Sequence, residues 1–191
     1  MSVIVAIKEN GVVYMGADAQ TTTGSFKSVS TSSASVKINK LKGGILAGFC
    51  GRVASKQEIL ATDGIFTLDS EGRLTKEHIV RHVIPKLLDK LDVFGDEETG
   101  ELAVSILLAH KDSLFHITSD RCVFNVADHM STGAGTPFTR YALYSTEGQA
   151  PRDRILLALS ESAKRCESVC APFVLIDTEN LEYEIVGGNQ P

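Results

Sequence analysis

The sequence predicts an α+β fold of two stacked antiparallel sheets, each covered on its outer side by helices. Three observations carry this. Apolar strand-like runs and helical stretches alternate in the order strands, two helices, strands, two helices, strands, which two facing sheets with outer helical layers accommodate. Asn10-Gly11 joins Val3-Ile4-Val5-Ala6-Ile7 to Val12-Val13-Tyr14-Met15-Gly16-Ala17-Asp18, a strong short-range hairpin signal. Residues 76–94 and 136–163 carry apolar side chains at three- and four-residue spacing, the period of helices with one buried face.

Taken in order, the first two strands should pair through the Asn10-Gly11 turn. Lys27 to Ser35 is almost all Ser, Thr and small residues, too polar to pack, and reads as a loop or edge before a strand at Val36-Lys37-Ile38-Asn39. Gly44-Ile45-Leu46-Ala47-Gly48-Phe49 reads as a buried strand, and from Arg52 the pattern turns helical, with Val53, Ile59 and Leu60 as core contacts. A second helix is expected from Lys76 to Phe94, with Thr75 as N-cap and a kink at Pro85, because proline removes a backbone donor. After the acidic loop Gly95 to Glu101, strands are expected at Leu102 to Ala109, Ser113 to Thr118 and Cys122 to Val126. A helix opening at Thr136 or Pro137 ends near residue 146, before Gly148, and Pro151 opens the last one, carrying Ile155, Leu156, Leu159 and Ala163. Strands at Phe173 to Asp177 and Leu181 to Val186 complete the expected order.

With 191 residues the chain suits one domain, 1–191, with a core of its own. A net charge of -5 argues against nucleic acid or an anionic membrane as partner, and favours protein or peptide. No apolar run approaches the roughly 18–20 residues that span a bilayer, and a β-branched run starting at Val3 has neither the basic nor the apolar region of a secretory signal. The expected location is cytoplasmic. Cys50, Cys122, Cys166 and Cys170 form no paired framework and should be reduced thiols. Cys166 and Cys170 lie one helical turn apart, but no histidine or second cysteine pair completes a zinc set.

The candidate chemistry lies at the start of the chain. Removal of Met1 would make Ser2 the terminus, placing a hydroxyl nucleophile and an α-amine of pKa about 8 on one residue. Such a group needs a carboxylate, a cation and an oxyanion donor around it. Asp18 closes the strand that pairs with the first and so returns to its beginning. Lys37 alternates with Val36 and Ile38 and should point to the opposite face, where a carboxylate would keep it charged. Gly48, in Ala47-Gly48-Phe49-Cys50-Gly51, offers an unobstructed backbone N–H. Each residue also has a plainer reading: Asp18 as a turn aspartate, Lys37 as a solvated strand lysine, and the glycine segment as a strand-to-helix junction.

Ser-Val-Ile-Val-Ala-Ile-Lys, Asn-Gly, Gly-Ala-Asp-Ala-Gln-Thr-Thr, Val-Lys-Ile, Ile-Leu-Ala-Gly-Phe-Cys-Gly and Gly-Ala-Gly-Thr-Pro-Phe occur in an order and spacing that resemble the proteasome β-subunit family of N-terminal nucleophile hydrolases, from residue 2 to about residue 182. The modest length is closer to the HslV branch. This resemblance implies a four-layer αββα sandwich, a homo-oligomer of stacked hexameric or heptameric rings enclosing the active sites, and hydrolysis of polypeptide unfolded by an ATP-driven partner. It places Ser2 at the usual threonine, Asp18 and Lys37 at the acid and base partners, and Gly48 at the oxyanion N–H. It also places Thr21, Ser35, Leu46 and Cys50 around the primary specificity pocket, which Leu46 and Cys50 would make apolar. No cofactor is implied for the chemistry. A structural cation, monovalent or divalent, would rest on the backbone carbonyls of Glu167, Cys170 and Phe173.

Two departures from the family pattern stand out. Gly133-Ala134-Gly135 replaces a Gly-Ser-Gly motif, and Arg165-Cys166-Glu167-Ser168 lacks the expected aspartate, leaving Ser168 as the match to its serine. Serine for threonine also removes the methyl group that restricts χ1. Two other functions remain open on this scaffold: a ring subunit with little or no peptidase activity, and an amidohydrolase for a small molecule.

Overall fold

In the computed structural model, residues 2–23, 25–30, 36–89, 95–96 and 98–187 are described. β1 (Val3–Glu9) and β2 (Val12–Asp18) form the expected hairpin. Asn10 and Gly11 both take positive φ, 51° and 80°, the mirror-image turn whose twist matches that of its strands. A short ribbon of β3 (Gln20–Thr23) and β4 (Phe26–Val29) follows. β4 overlaps the stretch read as a loop or edge at Lys27–Val29 and is exposed throughout, so its pairing rests on backbone hydrogen bonds rather than burial. Residues 31–35, the rest of that stretch, lie outside the described residues.

β5 (Ile38–Lys40) and β6 (Leu46–Gly51) pair with each other. The helix α1 (Val53–Ala61) leaves the end of β6. Next come α2 (Lys76–His78), a π-helical turn at Ile79–Val83 and α3 (Ile84–Leu88). Thr75 caps α2 as expected, its side chain accepting from His78 N–H. Just before Pro85, where a kink is expected, the helix widens into the π turn, in which Ile84 N–H donates to the Ile79 carbonyl. Widening the turn before Pro85 accommodates the missing donor. The expected end of this helix, at 90–94, lies outside the described residues.

β7 (Gly95–Asp96) pairs with β8 (Glu101–Leu102), and β9 (Val104–His110), β10 (Ser113–Ile117) and β11 (Val123–Asn125) form a meander. β12 (His129–Gly133) was not expected: its polar residues hide a strand that pairs with β1 along one edge. α4 (Thr136–Ser145) and α5 (Pro151–Arg165) match the expected helices, each with proline in its first turn. β13 (Phe173–Asp177) follows, and β14 (Glu184–Val186) begins later than expected.

The strands form two main five-stranded sheets, in the orders β12-β1-β2-β13-β14 and β11-β10-β9-β6-β5. Alternation along β1 divides its side chains. Ile4 and Ala6 join Met15, Ile38, Leu46 and Leu107 between the sheets. Val3, Val5 and Ile7 face Leu143, Ile155 and Leu159 of α4 and α5. On the far side, Ala47, Phe49, Ile106 and Leu108 pack under Ile59, Ile79, Val83 and Leu87 of the other helices. Three apolar seams therefore separate four layers, as expected for the αββα sandwich. No helix among the described residues is long and apolar enough to cross a membrane.

Candidate active site

The hairpin register places Ile4 opposite Ala17, so Asp18 arrives beside the first residues of the chain. One Asp18 carboxylate oxygen accepts from Val3 N–H at 2.9 Å and the other from Gln20 N–H at 3.1 Å. Ile38 turns into the core between the sheets, which leaves Lys37 pointing the other way. Its Nζ lies 2.7 Å from Asp18 Oδ2. The pair is almost fully enclosed, with Asp18 1% and Lys37 7% exposed. Burial pushes the Asp18 carboxyl above its ordinary range, and Lys37 and the two backbone donors pull in the opposite direction. Apart from this ion pair, the Lys37 ammonium makes no hydrogen bond among the described residues, so donors remain for a third group.

Ser2 and Lys37 share a cavity of about 420 Å³, with Thr21, Phe49, Gly51 and Val53 also on its wall. Ser2, Asp18, Lys37 and Thr21 are thus brought together. The structure places the other expected residues differently. Gly48 borders no part of this cavity; a Cβ there would come within about 3.1–3.2 Å of Ile4 and Met15, so it is small to let the two sheets approach. Leu46 is fully buried between the sheets, and Cys50, on the same seam, also borders a smaller depression beside Ser2, its Sγ donating to the Thr132 carbonyl at 3.4 Å. Burial pushes the Cys50 thiol up to about 12. Ser35 lies outside the described residues. Sequence reasoning missed Gly51, Phe49 and Val53, with Arg52, Lys56 and Gln57 beside them. Their signal was the spacing 53, 56, 57 on a helix that starts at Val53, two residues after Gly51, which places all three on one flank.

A second, smaller depression lies on the other side of Ser2, bordered by Ser105, Thr132, Gly133 and Ala134. Ser105 Oγ lies 2.8 Å from His116 Nε2 and 2.9 Å from Thr132 Oγ1, forming a chain of hydroxyls backed by an imidazole. Burial pushes His116 below its ordinary value, which favours its neutral form. Gly133 has φ 104°, and a Cβ there would lie 2.2 Å from the Ser2 carbonyl oxygen; only glycine allows this approach. Ser168 is buried.

Of the three carbonyls expected to hold a cation, that of Glu167 is engaged by side chains. The Glu167 carbonyl accepts from Gln20 Nε2 at 3.1 Å and from the Lys27 ammonium at 3.2 Å. A lysine side chain therefore already supplies the positive charge at that carbonyl. Cys170 is a free thiol, and Phe173 opens β13 opposite Asp18.

No protein-family model and no curated protein sequence matches the chain. Solved structures do match by shape. Thiobacillus denitrificans BPH in complex with epoxomicin superposes with a TM-score of 0.75 at 18% identity, covering 92% of this chain and 97% of that one. Anbu (ancestral beta-subunit) from Yersinia bercovieri gives 0.73 at 13% identity, over 99% and 88%. Eukaryotic HslV from Trypanosoma brucei gives 0.67 at 14% identity, over 92% and 98%. The two facing sheets, their outer helices and these superpositions together give the chain the αββα fold that HslV from Trypanosoma brucei and Anbu from Yersinia bercovieri also have.

Proposed function

We propose that this chain is the peptidase subunit of a self-compartmentalising protease, cutting unfolded polypeptides with Ser2 once Met1 has been removed. The observation that carries this reading is the enclosed Asp18–Lys37 ion pair at 2.7 Å, set in the wall of the cavity onto which Ser2 opens. In the proposed reaction the Ser2 α-amine takes the hydroxyl proton, and Oγ attacks the carbonyl carbon of the scissile peptide bond. The Lys37 ammonium stabilises the developing alkoxide, and Asp18 keeps that ammonium charged and in place. The negative charge on the tetrahedral intermediate falls near the glycine backbone at Gly51, which borders both depressions beside Ser2. Collapse breaks the C–N bond as the protonated α-amine returns its proton to the leaving amine, leaving an ester on Ser2. Water, deprotonated by the same amine, then hydrolyses that ester to a free acid and regenerates the hydroxyl.

Assembly into stacked homo-oligomeric rings, delivery of substrate by an ATP-driven unfoldase and a cytoplasmic location belong to the same proposal. Exposed Tyr141, Tyr144 and Leu157 on α4 and α5 supply apolar surface suited to subunit contacts.

Intact mass before and after a fluorophosphonate probe tests the reaction. Loss of Met1 and one adduct on Ser2 are expected, with neither adduct nor hydrolysis of an unfolded protein in Ser2→Ala. Undiminished hydrolysis by Ser2→Ala would sink the mechanism; a retained Met1 without adduct would favour a ring subunit that has no peptidase activity.

A further inference from the structure

The cavity beside Ser2 differs from the apolar pocket that Leu46 and Cys50 would have made. Phe49 and Val53 are its apolar wall, but Lys37, Arg52 and Lys56 also line it, and no Asp or Glu does among the described residues. This local excess of positive charge occurs in a chain of net charge -5. Lys37 has its carboxylate in Asp18. Lys56 has none: its ammonium donates to the Val36 carbonyl and forms no ion pair among the described residues. Its charge is therefore held beside a second cation and partly out of water, which lowers its pKa to about 8 through burial first and Lys37 second. Arg52 stands at the N-cap of α1, whose first turn contains no acidic residue. Val53 and Ala54 bring that positive helix end to the cavity wall.

We propose that this cavity takes an acidic side chain of the substrate, with the Lys56 ammonium as its counter-charge and Arg52 and Gln57 as further donors. The proposal rests on the peptidase reading above, and names the substrate class of that same site. A Glu or Asp carboxylate entering the cavity supplies the negative charge that Lys56 lacks, while its methylene groups lie against Phe49 and Val53. A lysine or arginine side chain would meet three like charges there. A leucine would fill the apolar wall yet leave Lys56 without a partner, so selectivity comes from repulsion and from an unmet charge as much as from attraction.

Binding separates this inference from the chemistry. In Ser2→Ala protein, which holds the cavity without turnover, the affinity of a short fluorescent peptide ending in Glu is compared with that of its Gln counterpart by anisotropy at low ionic strength. A preference of about tenfold for Glu is expected, the size of one partly desolvated charge-assisted contact. Lys56→Met should reduce that preference to about twofold or less, and Lys56→Glu should turn it towards a peptide ending in Lys. Equal affinity for Glu and Gln peptides in the unaltered cavity would overturn the inference without recourse to any Lys56 variant. Discrimination by the Ser2→Ala cavity, together with no cleavage of peptides by the Met1-processed protein that keeps Ser2, would overturn the peptidase reading and leave the acidic specificity standing.

Discussion

Removing one partner of the Asp18–Lys37 pair is expected to cost more than removing both. Asp18 is held by two backbone N–H groups and the ammonium, and neither side chain reaches solvent to any extent. Lys37→Met leaves a buried carboxylate without its counter-charge, and Asp18→Asn leaves a buried ammonium without its own. Cutting a buried pair from one side costs about 3–5 kcal/mol. A domain of this size loses about 2–4 °C of Tm per kcal/mol, so each single variant should melt roughly 6–20 °C lower. The double variant Asp18→Asn/Lys37→Met carries no buried charge, and the asparagine oxygen can still accept from Val3 or Gln20 N–H. Its loss should be smaller than that of either single variant, and so should fall short of the summed single losses by about 3 kcal/mol or more. Urea denaturation at pH 7 measures all four proteins, and peptide hydrolysis should be lost in all three variants. Strictly additive losses, or single losses below about 1 kcal/mol, would show that the pair is screened by solvent and would refute the reasoning.

Two further outcomes follow from the same region. Gly133→Ala places a Cβ 2.2 Å from the Ser2 carbonyl at φ 104°, so it should destabilise the fold by about 2 kcal/mol or more, through strain and displacement of Ser2; a probe-labelling rate and Tm equal to wild type would contradict that contact. Lys56, with its pKa lowered to about 8 by burial and Lys37, binds fewer protons folded than unfolded between about pH 8 and the unfolded value near 10.4. Stability should therefore gain from rising pH across that window relative to Lys56→Met, and equal urea midpoint shifts from pH 7.5 to 9.5 in the two proteins would refute it.

The parts of the fold legible in the sequence are those whose signals are local. Asn10-Gly11 specifies its own turn through two positive φ values, and Pro137 and Pro151 lie in the first turns of α4 and α5. β12 was not legible, because His129-Met130-Ser131-Thr132-Gly133 has no apolar alternation; its place at the sheet edge beside β1 comes from backbone pairing. Asp18 and Lys37 were legible because a hairpin brings its far end home and a strand residue next to a core isoleucine points away from that core. Such rules indicate direction. They do not give the distance at which two such side chains meet.

The wall of the larger cavity beside Ser2 was not legible for a related reason. Alternation along β6 correctly groups Leu46, Gly48 and Cys50 on one face, but period-two reasoning cannot tell which face fronts a cavity. That face is the seam between the sheets. The cavity opens at the end of the strand, where Gly51 releases the chain into α1 and the 3.6-residue period replaces alternation. Residues that meet there, Phe49 from the strand and Val53 and Lys56 from the helix, belong to two periods at once, and no single pattern selects them.

Gly133-Ala134-Gly135 separates geometry from chemistry within three residues. Gly133 is required by the Ser2 carbonyl, and a Cβ at Gly135 would lie 2.1 Å from Ser162 Oγ and 2.9 Å from Val3 Cβ. Both flanking glycines therefore serve the approach of β12 and α4 to the first residues of β1. The middle position is exposed and borders the depression beside Ser2, so packing does not dictate its side chain. Alanine there leaves the placement of Ser2 intact and withholds only a hydroxyl. In the proposed mechanism the cost of this departure would fall on proton handling at Ser2, where the Thr132 and Ser105 hydroxyls lie around the same depression, and not on the packing that positions Ser2.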